Sequence, residues 1–156
     1  MKILATILAF LQFLPFATPG RGQENAYLAV LEEIIGDADD IKHISCDIRN
    51  PESPEAIAQL KALQKFCETH GKTLHLASLA ELNERGLLEE GENGYAIGGE
   101  RLAEIRFGSD IKQTKNSLTG GAGWFCGDCW GAWYDYTVKR IGCTWYIVDK
   151  INGPVA

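Results

Sequence analysis

The sequence predicts an α+β domain in which amino-terminal helices pack on a mainly antiparallel β-sheet that ends in a carboxy-terminal hairpin. Helical periodicity is confined to the first half of the 156 residues, two helical segments there carry start signatures, and the last third alternates like strands on either side of Gly142. Helices first and strands last is the order of an α+β fold, not of an alternating parallel one.

The chain opens with Met1-Lys2 and an apolar run from Ile3 to Ala17, then Pro19-Gly20-Arg21-Gly22. A basic start, a short apolar centre and small residues predict a secretory signal peptide over 1–22. The run falls short of the roughly 20 apolar residues that a membrane anchor needs. Gln12 and Pro15 also interrupt it, so cleavage is expected and a stable membrane anchor is not. Residues 23–156 then form a single α+β domain, secreted or periplasmic, on the order of 130 residues long and large enough for one core.

From Gln23 to Ile35, Tyr27, Leu28, Val30, Leu31, Ile34 and Ile35 recur at helical spacing, with Gly36 placed to end the helix. Ile41 to Ile48 reads as a strand or extended segment, stopped by Asn50-Pro51. Ser53, Pro54 and Glu55 supply a cap, a favoured first-turn proline and an acid at the positive end of the dipole. The second helix they start is expected to reach about Glu68, burying Ile57, Leu60, Leu63, Phe66 and Cys67, with Gly71 just beyond it. Thr73 to Ala77 is a short strand, and Ser78-Leu-Ala-Glu81 has the reciprocal capping pattern of a third, short helix ending near Gly86. Tyr95–Ile97 and Ala103–Phe107 alternate as half-buried strands do. Ser117 to Gly123 reads as a flexible loop. Trp133–Val138 and Thr144–Val148 pair across a turn at 140–143, where Gly142 supplies the unusual backbone angle.

The formal net charge is −6, with acidic blocks at Glu32-Glu33, Asp37 to Asp40 and Glu89 to Glu92. Such a field repels phosphates, so nucleic acid is not expected as a partner, nor is an anionic membrane surface. No cofactor is implied.

All five cysteines, Cys46, Cys67, Cys126, Cys129 and Cys143, lie in the part expected to be exported. An oxidising compartment favours structural disulfides, and an odd count leaves one thiol over. Several pairings are open: Cys126 with Cys129, one of these with Cys143, and Cys46 with Cys67. Two sharper readings compete with that one. Trp124-Phe-Cys126-Gly-Asp-Cys129 is similar to the thioredoxin active-site pattern, which implies a dithiol pair for thiol-disulfide exchange. The pair lies late in the chain, however, without the helix start that stabilises such a thiolate. His43-x-x-Cys46 with Cys126-x-x-Cys129 has zinc-like spacing. The two pairs are far apart and oxidation competes, so no metal site is expected. The three histidines are scattered, and no serine occupies a nucleophile-elbow pattern.

Ile105-Arg-Phe107, Cys126-Gly-x-Cys129-x-Gly131, Tyr136 to Gly142 and Trp145 to Val148 together resemble secreted bacterial proteins of unassigned function that end in a Cys-Gly strand and a Trp-x-Ile/Val hairpin. The hairpin ending is also similar to that of NTF2-like, cystatin-like domains, in which a curved antiparallel sheet wraps a helix. The resemblance covers about the last third and implies fold, not catalytic residues. The expected function is therefore a non-enzymatic binding protein, immunity-like or inhibitor-like, that recognises an envelope or extracellular protein or a small-molecule ligand. Trp124, Trp130, Trp133 and Tyr134 are its candidate contact residues, since aromatic rings offer large contact area with a polar tip. Thiol-disulfide exchange at Cys126 and Cys129 is the enzymatic alternative.

Overall fold

A computed structural model describes residues 17–19, 22–48, 51–127 and 130–153. Most of the expected leader, together with Asn50, Asp128 and Cys129, lies outside the described residues. In chain order the elements are β1 (Ala17–Pro19), α1 (Glu24–Ile35), β2 (Ile41–Ser45), α2 (Pro54–His70), β3 (Thr73–His75) and α3 (Leu79–Glu84). The strands β4 (Glu89–Gly91), β5 (Gly94–Ile97), β6 (Glu100–Phe107), β7 (Lys112–Gln113), β8 (Ser117–Gly127), β9 (Trp130–Ile141) and β10 (Thr144–Asn152) follow. One open sheet runs in the order β1-β10-β9-β8-β6-β2-β3, with the β4-β5 hairpin attached to β6 and β7 attached to β8. The α+β class, with helices first and a mainly antiparallel sheet, is as the sequence predicts.

The exception to the antiparallel pattern is β2, which pairs parallel with both β3 and β6. The connections explain it. Helix α2 carries the chain from β2 back to the start of β3, which is the crossover that a parallel neighbour requires. At the opposite edge, Ala17–Pro19 pairs antiparallel with Thr144–Tyr146, so residues inside the expected leader add a short strand to β10.

The start signals act as read. Ser53 Oγ accepts from the Ala56 amide, and Gly71 ends α2 in the left-handed conformation, two residues later than expected. Ser78 and Glu81 form the full reciprocal cap of α3. Helix α2 buries Ala58, Ala62, Leu63, Phe66 and Cys67 but leaves Ile57 39% exposed and Leu60 only half-buried, so its inward stripe is narrower than its apolar content suggests.

Helix α1 is buried nearly all round, between α2 on one side and β8, β9 and β10 on the other. Two of its three acids meet partners at the rim: Glu32 bonds the His70 ring at 2.8 Å, and Glu33 pairs with Lys150. Tyr27 meets Phe107 edge to face at 5.5 Å and donates its hydroxyl to Gln113. Burial of that ring pushes the Tyr27 pKa up to about 12. A second, small core of Ala77, Leu82 and Leu102 lies under α3, on the other face of β6.

The expected flexible loop at Ser117–Gly123 is the first part of the eleven-residue strand β8. Its glycines are there for packing and not for mobility. Leu118, Gly120, Ala122, Trp124 and Cys126 turn toward the helices, and Gly121 and Gly123 turn away, where their missing side chains leave room for a ring of the neighbouring strand.

A different glycine joins the β4-β5 hairpin to the sheet. Gly94 has φ +92, and a Cβ there would run into the Cys126 carbonyl oxygen; Gly98 has φ +57 with open space around it. Gly94→Ala is expected to lower stability by about 2–4 kcal/mol, combining backbone strain with overpacking. Gly98→Ala is expected to cost only about 1 kcal/mol, from strain alone. Urea unfolding of the two variants side by side tests the difference, and equal midpoints would refute this close approach.

Candidate functional site

Two groups of side chains stand on the sheet face that turns away from α1 and α2. The first is aromatic. Strand alternation puts Trp133, Asp135 and Thr137 of β9 on this face, opposite Tyr134, Tyr136 and Val138. The Trp133 indole lies flat across Gly121, Gly123 and Gly153: a Cβ at any of these would penetrate it, at 2.8 Å from Cε3 in the case of Gly123. Beside it, the half-buried Phe125 ring packs over Gly131, and the Arg106 guanidinium sits 4.7 Å from the Phe125 ring centre, in cation–π range. Arg106 also donates from Nε to Glu104 Oε2 at 2.6 Å, so its fork bridges a buried carboxylate and an aromatic face. Among the described residues no helix packs on this stretch of β8 and β9, because α1 occupies the opposite face.

The four expected contact aromatics therefore divide. Trp133 is on the open face. Trp124 and Tyr134 are half-buried against the helix-side core, and the Lys150 ammonium is 4.9 Å from the Tyr134 ring. The position of the Trp130 side chain lies outside what is described. Phe125, which sequence reasoning passed over, stands on the open face because it is one residue out of phase with Trp124.

The cysteines are placed individually. Cys46, Cys67, Cys126 and Cys143 are all free thiols, and Cys129 lies outside the described residues. Cys126 is fully buried, and its Sγ accepts from Arg101 Nη2 at 3.3 Å; the same guanidinium pairs with Asp40. Burial, reinforced by the Glu104 and Asp47 carboxylates, pushes the Cys46 thiol up to about 12, and burial pushes Cys67 up to about 11. Both stay protonated near neutrality and are poor nucleophiles. Cys143 is exposed in the β9-β10 turn.

The second group is polar and had no sequence signal. His43 Nδ1 lies 3.0 Å from His75 Nε2, and His43 Nε2 lies 3.1 Å from Glu100 Oε2. The three residues are distant in sequence and meet because β2 runs parallel to both neighbours: Ser45 is in register with His75 on one side and Glu104 on the other. The ring centres of His43 and His75 are 5.2 Å apart, close to the upper limit set by the nitrogen separation plus two ring radii, so the nitrogens face each other nearly in line. That is the geometry of an N–H···N hydrogen bond. A metal ion midway would be about 1.5 Å from each nitrogen, well short of the roughly 2.0–2.1 Å of a zinc–imidazole bond. His43 and Cys46, moreover, point to opposite faces of β2, so the His-x-x-Cys spacing does not converge on one point. Among the described residues no group of three or more His, Cys, Asp or Glu side chains is arranged to hold a metal.

Two shallow clefts flank these groups. One, about 440 Å³, lies beyond the carboxyl ends of β2 and β6 and is lined by Cys46, Asp47, Gln59, Glu104 and Arg106 among others. The other, about 520 Å³, is bounded by the acidic β4-β5 hairpin and Arg101. No protein-family model, curated protein or solved structure matches this chain.

Burial orders thiol reactivity. With a maleimide at mildly alkaline pH, Cys143 is expected to label fast, while Cys46, Cys67 and Cys126 label only at the rate of unfolding. Peptide mapping over time checks this, and labelling of Cys126 in step with Cys143 would refute the burial of its thiol.

Proposed function

We propose that this chain is a secreted, non-enzymatic binding protein whose contact surface is the open sheet face of β8 and β9. The observation that carries the reading is the Trp133 ring held flat on three glycines beside the Arg106-capped Phe125. Large rings fixed by packing lose little entropy on binding, and arginine beside an aromatic is a favoured anchor pair at protein interfaces. Among the described residues no helix packs on this stretch of β8 and β9, while Cys126, which a redox role would require, is buried at the other side of the sheet, which weighs against thiol-disulfide exchange.

The partner that fits best is a protein with a basic surface. The chain is acidic, and Glu89, Glu90 and Glu92 are exposed on the hairpin next to this face. Complementary charge speeds encounter and sets register, while the aromatic centre supplies desolvated area. An immunity-like or inhibitor-like role against an envelope or extracellular protein follows from this acidic, rigid face.

Photo-crosslinking residues at Thr119 and Asp135, exposed on the open face, test the proposal against Lys61 and Gln64 on the outer side of α2. In the cell envelope, the first pair is expected to capture one common partner and the second pair none. Association with that purified partner is expected to weaken steeply with salt. Capture from α2 alone, or salt-independent binding, would overturn the assignment of this face.

A further inference from the structure

We propose that the His43–His75 contact is a pH-sensitive clasp that fastens the edge strand β3 to the sheet and opens on acidification. Strand β3 is the last strand in the sheet order and pairs only with β2, over three residues. Beyond that pairing, Leu74 packs half-buried against the main core and β3 touches α2. The Cys46 amide donates to the His75 carbonyl at 3.0 Å, and Lys72 Nζ, just before β3, donates to the Ala38 and Ile41 carbonyls. His75 supplies the side-chain bond at the far end. Immediately after it come the exposed Leu76 and then Ala77, which leads into α3 and the small core with Leu82 and Leu102.

The logic of the clasp is a count of protons. With both rings neutral, His43 donates from Nε2 to Glu100 and accepts at Nδ1 from His75 Nε2. One added proton is also accommodated: His43 becomes a cation between the Glu100 carboxylate and the lone pair of His75, whose own proton moves to its Nδ1. A second proton is not accommodated, because N–H would then face N–H with two positive charges in contact. The first step passes without opening, and the second forces the rings apart.

The surrounding charges leave this count intact. On β6, Arg101 is committed to Asp40 and Cys126, and Glu104 to Arg106. On α3, Glu81 is engaged in its cap. On the approach to β3, Lys72 is held by backbone carbonyls, and Lys42 on β2 is exposed. Cys46, which follows β2, stays neutral. Glu100, 3.1 Å from His43 Nε2, is the carboxylate hydrogen-bonded to the pair. Burial first, and the neighbouring His43 second, lower the His75 pKa from its ordinary 6.5. The sign follows. The released ring binds its proton near 6.5 and the clasped ring only below that, so the clasp's contribution is complete above that pH and is lost as pH falls beneath it.

The test is amide hydrogen exchange on the full chain at about pH 7.5 and about pH 5, corrected for intrinsic exchange rates, with the imidazole titrations followed by NMR. Protection of Leu74 to Ala77 is expected to fall at least about tenfold relative to β8 and β9 on acidification. In His75→Gln, whose amide still donates to His43 but does not titrate in this range, the fall is expected to vanish. A pH-independent segment in the natural chain, an unchanged fall in His75→Gln, or a His75 titration at or above 6.5 would each overturn the clasp. None of these readouts depends on the proposed partner.

Discussion

The fold depends on the burial of α1. Leu28, Val30, Leu31, Ile34 and Ile35 are all inside, and burying such side chains is worth about 1.5–3 kcal/mol each, a sum comparable to the roughly 5–15 kcal/mol of net stability of a whole domain. The helix lies between α2 and the long antiparallel strands, so it is the surface on which the two halves of the chain meet. Its polar residues are accommodated only where a later element reaches them: Glu32 by His70 of α2, Glu33 by Lys150 of β10, and Asn25 by Lys65 of α2. A helix that binds both halves in this way makes the amino-terminal elements and the carboxy-terminal hairpin one cooperative unit.

The same burial fixes which sheet face remains open. With α1 on one side of β8 and β9, residues of the opposite parity face away from the core, and the sequence there is glycine-rich. Gly121 and Gly123 exchange side-chain packing within the strand for a seat under Trp133. The cost of glycine in a strand, roughly 0.5–1 kcal/mol each, is offset by contact with a ring that would otherwise stand free of the sheet. The seat of that ring is thus built from three glycines, Gly121, Gly123 and Gly153.

The helices were legible because their signals are local. Ser53-Pro54, Ser78 with Glu81, and Gly71 each act within one turn of themselves. The final hairpin was legible for the same reason, with Gly142 at φ +65 in its turn. Ser117–Gly123 was misread as a loop because glycine signals mobility in a sequence, while its reason here is an indole from the next strand. His43 and His75 were read as scattered because only the parallel pairing of β2 brings them together with each other and with Glu100. No spacing within the sequence encodes such a pairing. Phe125 was overlooked, and Trp124 and Tyr134 assigned to the surface, because the phase of a strand is set by the core it packs on and not by its own alternation.

The two ends of the sheet differ in the chemistry that holds them. From β8 to β10 the strands are long, antiparallel and buried on the α1 side, and local opening there exposes much of the main core. From β6 to β3 the pairing is short and parallel, and its outer face carries histidines, carboxylates and the buried Ser45 hydroxyl, which has no partner among the described residues. Opening free energy follows buried apolar contact, so the β3 edge is the low-stability end of the molecule. A titratable contact placed there can loosen β3 and α3 without disturbing the strands that carry Trp133. The converse also holds: a partner seated on β8 and β9 stabilises the end that is already firm and so leaves the β3 edge as responsive to acid as before. The proposed binding face and the proposed clasp are separable because they rest on opposite ends of one sheet, joined through β6.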